Sequence, residues 1–168
     1  MKKFCLAVAA IFALAPLAAE MLPQHFHVDM EKQEGKWVCT RSEVRDNGRY
    51  YEVWNRADLP EGSELEQVFI VSSPTSKGHK VSMNKLMRKS LFPVKYMPGT
   101  RTQVHRETAN EAVFAWHTPN GHQSIVRLLV HPEVYHSITY LHKGEKLADE
   151  ETQRRVNFLD TLKLTFSQ

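Results

Sequence analysis

The sequence predicts an α+β fold: one domain built on a largely antiparallel β-sheet with helices packed on it. Three features carry this. Residues 100–142 read as four successive strands separated by legible turns. Asp46-Asn-Gly lies between two β-rich runs and marks a hairpin. Two amphipathic segments, one after Ser82 and one from Asp149, have helical spacing.

The chain opens on an export pattern. Lys2 and Lys3 precede an uncharged apolar run from Phe4 to Leu14, Pro16 breaks it, and Leu17, Ala18 and Ala19 stand before Glu20. This is the order of a secretory signal peptide over residues 1–19. The rival is an uncleaved anchor, but the apolar run is shorter than the roughly 20 residues that a span needs. No cysteine follows the small residues, which argues against a lipid-anchored form. The expected location is periplasmic or secreted, with no transmembrane segment after cleavage. Residues 20–35 read as a polar extension with a short ordered piece near Phe26, and ordered structure is expected from Lys36. Residues 36–168 form the single domain, long enough for one core and short for two.

Within the domain, Trp37 to Val44 and Tyr50 to Trp54 are the strands that flank Asp46-Asn-Gly, both of whose turn residues tolerate positive φ. Pro60 to Ser63 is a loop. Leu65 to Ser73 contains Val68, Phe69, Ile70 and Val71 in succession, so it is apolar on both faces and belongs in the middle of a sheet. After a loop at 74–79, Ser82 caps a helix that carries Met83, Leu86, Met87 and Leu91 on one side, and Pro93 ends it. The methionines read as core filler rather than a cofactor box.

The four later strands are Thr100 to Glu107, Glu111 to His117, Gln123 to Val130 and Val134 to His142. Thr118-Pro-Asn-Gly suits a turn, with proline at the preset φ and glycine where φ is positive. Placing Thr118 opposite His122 sets Trp116 against Ser124, Phe114 against Val126 and Ala112 against Leu128. One face then collects Ala112, Phe114, Trp116, Val126, Leu128 and Val130, a set that a one-residue slip would scatter. The other face carries Val113, Ala115, His117, Ile125, Arg127 and Leu129, and it too is expected to be partly covered. Asp149 to Leu162 is an amphipathic helix with Val156, Leu159 and Leu162 on one stripe and Phe158 beside it. Lys163 to Phe166 reads as a short closing strand.

This order of elements resembles the PsbP-like domain, a family that includes the extrinsic lumenal protein of photosystem II and many exported bacterial proteins. The ending Val156-Asn-Phe-Leu-Asp-Thr-Leu-Lys-Leu-Thr-Phe is similar to the family's closing helix and strand. The resemblance covers Trp37 to Phe166 and lies in layout rather than in a diagnostic motif. It implies an α/β/α sandwich and accessory or binding roles. It implies no functional residue, and fold likeness alone does not give function.

There is no Gly-x-Ser-x-Gly elbow, phosphate-cradling glycine loop, His-Glu-x-x-His or paired-cysteine motif. A hydrolase is thus the third reading, behind a binding module and a small-ligand or metal binder. Glu52, Asp58, Glu61, Glu64 and Glu66 read as a solvated acidic region rather than a catalytic pair. Cys39, the cysteine left after cleavage, reads as a buried small hydrophobe, with a disulfide-linked dimer or a reactive thiol as the sharper alternatives. Tyr50, Tyr51, Trp54, Tyr135 and Tyr140 are core or strand-face filler, or else line a ligand groove. Among the nine histidines, His25 and His27 alternate, and His117 and His122 flank a turn. These four are the candidate ligands for Zn²⁺ or Cu²⁺; otherwise no cofactor is expected.

Charge is segregated. Lys77, Lys80, Lys85, Arg88, Lys89, Lys95, Arg101 and Arg106 fall in one stretch without an acid. The whole chain has a net charge of +3, of which Lys2 and Lys3 supply two, so global charge does not indicate nucleic acid. The stretch is either a solvated face balanced in space by acids or a surface for an anionic partner. Outside the cytoplasm that partner is an envelope protein or an anionic lipid or lipopolysaccharide. Lys85, Arg88, Lys89 and Arg101 are the expected contact residues.

Overall fold

A computed structural model describes residues 26–28, 30, 33–61, 65–75, 81–162 and 165–166. The signal-peptide expectation for 1–19 therefore lies outside the described residues, as do His25, Lys77 and Lys80.

Among the described residues, nine strands and two helices form in chain order. They are β1 (Phe26–His27), β2 (Trp37–Val44), β3 (Tyr50–Arg56), β4 (Leu65–Pro74), α1 (Met83–Lys95), β5 (Arg101–Glu107), β6 (Glu111–His117), β7 (His122–Val130), β8 (Val134–Lys143), α2 (Asp149–Thr161) and β9 (Thr165–Phe166). Seven of the strands make one antiparallel sheet in the order β2-β3-β4-β8-β7-β6-β5. Two meanders thus meet at β4 and β8, and α1 carries the chain from the middle of the sheet to its far edge. β1 and β9 pair separately, with Phe26 opposite Phe166.

The doubly apolar run at 65–73 is central, paired along its length with β8 and from Gln67 to Ser72 with β3. The expected β6–β7 register is observed pair for pair: Trp116 with Ser124, Phe114 with Val126, Ala112 with Leu128. The Thr118 amide donates to the His122 carbonyl at 2.8 Å, and Gly121 takes φ +83°. Across the hairpin from β2 to β3, only Gly48 has positive φ, at +72°. Asn47 tolerates that conformation but does not adopt it. The Arg45 amide bonds the Arg49 carbonyl around a three-residue loop, in which only the last residue needs the left-handed region.

Each sheet face has its own core. Ala112, Phe114, Val126 and Leu128 pack with Met83, Leu86 and Met87 of α1. Val113, Ala115, Ile125, Ile138 and Tyr140 pack with Val156, Leu159 and Leu162 from α2 and its end. Trp37 stacks on Phe158 at 6.0 Å, and Tyr140 meets Phe158 edge-on at 6.2 Å. The second core reaches further back than Lys36, because Val28 and Met30 are buried in it.

Two further expectations are corrected. Pro93 does not end α1, which runs on to Lys95. Proline here removes one helical hydrogen bond, to the carbonyl of Lys89, while buried Val94 pins the last turn and accepts from the Met97 amide at 3.1 Å. Glu52 and Glu66 are not solvated: they are 2% and 7% exposed. Strand alternation turns both inward. Glu52 accepts from the Tyr50 hydroxyl at 2.8 Å and from Trp54 Nε1 at 2.5 Å. Glu66 accepts from Arg56 at 2.8 Å and from Arg155 at 3.2 Å. Partners of this kind are what make a buried carboxylate tolerable.

Candidate functional site

The outward side of α1 is the most unusual surface of the fold. Met83, Leu86, Met87 and Val94 are buried, so the opposite side carries Lys85, Arg88, Lys89 and Phe92, all exposed. Lys85 and Lys89, Arg88 and Phe92, and Phe92 and Tyr96 are each four residues apart and stack along one ridge. Helix physics does not favour this arrangement. The first turn holds no acid although the amino end of a helix attracts one, at about 0.3–1 kcal/mol per charge. Like charges four apart cost a few tenths of a kcal/mol more. Among the described residues, none of Lys85, Arg88, Lys89, Lys95 and Arg101 forms an ion pair. Arg106 differs: it is held by Glu111 at 2.9 Å and Asp160 at 2.7 Å, so it leaves the free cationic set.

The ridge ends in apolar side chains. Phe92 is 61% exposed, Tyr96 70% and Met97 49%. Phe92 and Tyr96 meet edge to face at 5.5 Å, and the Lys95 ammonium lies 5.7 Å from the Tyr96 ring centre. Between this end of α1 and β5 is a recess of about 480 Å³, lined by Arg88, Leu91, Phe92, Lys95, Tyr96 and Thr102.

Arg101 does not join the ridge. It stands opposite His117 across β5 and β6, on the sheet face that α2 covers. There it lines a polar recess of about 250 Å³ with His117, Gln123, Lys146, Asp149 and Thr152. Burial first, then the charges of Lys146 and Arg101, push the His117 pKa below the ordinary imidazole value. The structure therefore brings three of the four expected partner-binding residues together and sets the fourth on the other face.

The candidate metal ligands separate in the same way. His117 pairs with Gln123, whereas His122 lies across from Thr118, one position out of step. Side chains alternate along a strand, so the two imidazoles leave the sheet on opposite faces. His27 sits in β1 opposite Thr165. Among the described residues, no group of three or more His, Cys, Asp or Glu side chains is placed to hold an ion.

Other expectations meet mixed outcomes. Cys39 is exposed, not buried, and its thiol donates to the Arg41 carbonyl at 3.3 Å beside a bulge in the edge strand β2. Tyr50 and Tyr140 are core residues. Tyr135 lines a groove of about 240 Å³ between α1 and the sheet, with Arg49, Leu86 and Lys89.

One polar cluster has no counterpart in the sequence reading. Ser72 Oγ lies 2.8 Å from His136 Nδ1, both residues being buried. Tyr50, opposite Ser72 in β3, passes its hydroxyl to Glu52, and burial pushes its own pKa up to about 12. Burial, followed by the neighbouring His131, lowers the His136 pKa to about 4. The available signal was parity: Tyr50, Glu52 and Trp54 alternate along one strand and so share a face. Ser72 and His136 lie 64 residues apart, and only the β4–β8 register joins them.

Comparison with family models, curated proteins and solved structures finds no match to this chain.

Proposed function

We propose that the chain is an exported, non-enzymatic binding or accessory module of a bacterial envelope, or a secreted one, that meets an anionic partner through the outward ridge of α1. One observation carries the reading: Lys85, Arg88 and Lys89 are exposed on one ridge and pair with no acid among the described residues. Exposed cations without acidic partners, with Lys85 set in a first turn that favours acids, are better explained by a partner than by folding. The export address rests on the leader pattern in residues 1–19. Helix α1 on one core and α2 on the other support reading the fold as a PsbP-like α/β/α sandwich, a family layout suited to accessory roles.

The test is capture from envelope extract and culture medium with tagged residues 20–168, at low and moderate salt. A specific partner is expected at low salt, weakened by salt and lost when Lys85, Arg88 and Lys89 are all changed to Glu. Capture unaffected by that reversal would refute the reading.

A second reading, binding of a small ligand, is favoured by the polar recess that joins Arg101, His117 and Lys146. A rise in melting temperature with a small anion, abolished by Arg101→Ala, would favour it.

A further inference from the structure

We infer that the anionic partner is a phospholipid bilayer surface, docked by the outward ridge of α1 and the apolar side chains at its carboxy-terminal end. The inference rests on the proposed function and names its partner. Charge alone would suit any acidic surface, but the ridge is not charge alone. Phe92 stands among Lys85, Arg88 and Lys89, and Tyr96 and Met97 continue past it. Large apolar side chains left 49–70% exposed gain nothing from water. Cations flanking protruding aromatic and thioether groups match an interface in which phosphates lie outside and acyl chains within. Tyrosine prefers that boundary, with its ring in the apolar layer and its hydroxyl in the headgroups. Lysine suits it as well: its long stem lets an ammonium reach the phosphates, and the Lys95 ammonium, 5.7 Å from the Tyr96 ring centre, sets a cation beside the exposed aromatic.

Shape points the same way. The exposed aromatics lie on the outer ridge and end of a helix, not at the bottom of a cleft, so they can enter a flat, deformable surface. The recess of about 480 Å³ beside them is lined by Leu91, Phe92, Val94 and Tyr96 together with Arg88 and Lys95. A lining that combines apolar side chains with two cations suits a lipid chain and its headgroup. Val104 extends the apolar area: it lies two residues beyond Thr102 on the same face of the edge strand β5 and is 51% exposed. No acid occurs from Thr75 to Arg106 to repel an anionic layer. Among the described residues no helix is long and apolar enough to cross a membrane, so the contact is peripheral.

The experiment is flotation of the purified protein with phosphatidylglycerol vesicles and with phosphatidylcholine vesicles, at low and moderate salt. The variants are Lys85→Glu/Arg88→Glu/Lys89→Glu and Phe92→Ser/Tyr96→Ser. All five positions are exposed, so both variants are expected to melt within a few degrees of the parent. The parent should bind the anionic vesicles and not the zwitterionic ones, and each variant should bind roughly tenfold more weakly or worse. Three results would overturn the inference. If the parent ignores anionic vesicles at low salt while charge reversal still abolishes capture of an acidic protein, the lipid is wrong and the proposed function stands. If vesicle binding survives Phe92→Ser/Tyr96→Ser unchanged, the aromatics do not enter the bilayer and the docking described here is wrong. If vesicles are ignored and charge reversal changes no capture, both readings fall.

Discussion

Arg127 Nη1 donates to the carbonyl of Leu159 at 2.7 Å, so a side chain from the middle of the sheet caps the carboxy-terminal end of α2. The same nitrogen reaches the Leu162 carbonyl at 3.3 Å, and Arg127 Nε bonds Glu111 at 2.8 Å. Helix α2 has no basic residue in its own last turn, so the cation that its dipole calls for arrives from β7. Glu111 also binds Arg106, which reaches Asp160 on α2, closing a ring of contacts.

Changing Arg127 to Met removes that cap and leaves partly buried helix carbonyls unpaired. The expected cost is roughly 2–4 kcal/mol of unfolding free energy, read from urea denaturation. Arg127→Lys should recover only part of it, because an ammonium cannot fork between Glu111 and the helix end. Equal stability of the parent and Arg127→Met would show that the ring does not anchor α2.

His136 makes folding sensitive to acid. Its folded pKa, about 4, lies below the ordinary value of 6.5. A lowered histidine pKa means that the unfolded chain takes up the proton first. The stability contribution of neutral His136 is therefore complete above pH about 6.5 and is lost as pH falls from there towards 4, by roughly 3 kcal/mol in all. The urea midpoint should fall across that window, and His136→Gln should flatten the slope between pH 6.5 and 5. An identical slope in the variant would place the acid sensitivity elsewhere.

These two residues show where the sequence was legible. The strands from 100 to 142, their register and the apolar stripe of α2 follow from local period and turn chemistry, and Phe114 duly faces Val126. The face of Arg127 follows from strand alternation, but its reach to Leu159 is set by where α2 lands. His136 was hidden for a related reason: its partner Ser72 comes from β4, and β4 pairs with β8 only after the chain has crossed the sheet and returned. At the ridge, Lys85, Arg88 and Lys89 were legible from helical spacing. The exposure of Phe92 was not, because an aromatic on a helix is more often core. Arg101 and Arg106 were misleading because a charge run in sequence ignores alternation. One turns to the other face, and the other is taken up by acids.

Cys39 is exposed on an edge strand, and burial does not protect its thiol. It should therefore react with a thiol-specific disulfide reagent in the folded state at a rate close to that in denaturant. If it pairs chains, a dimer that reductant dissolves should form on mild oxidation and vanish in Cys39→Ser. Labelling that requires denaturant would contradict the exposed position.

The metal reading can be tested through strand parity. His117 and His122 leave the sheet on opposite faces, so one ion cannot take both imidazoles from one chain. Any Zn²⁺ or Cu²⁺ that these residues bind must then sit at two separate and weak positions, each short of the three or four ligands that fix an ion. In calorimetric titrations, His117→Ala and His122→Ala should each remove an independent part of the heat, and the double variant should lose the sum of the two. A flat titration of the parent would dispose of metal binding at these positions altogether. One ion per chain, lost in full on changing either histidine, would instead require the two side chains to converge. That would need β6 shifted against β7 by one residue, which would turn either Phe114 or Val126 away from α1 and break the core beneath the cationic ridge.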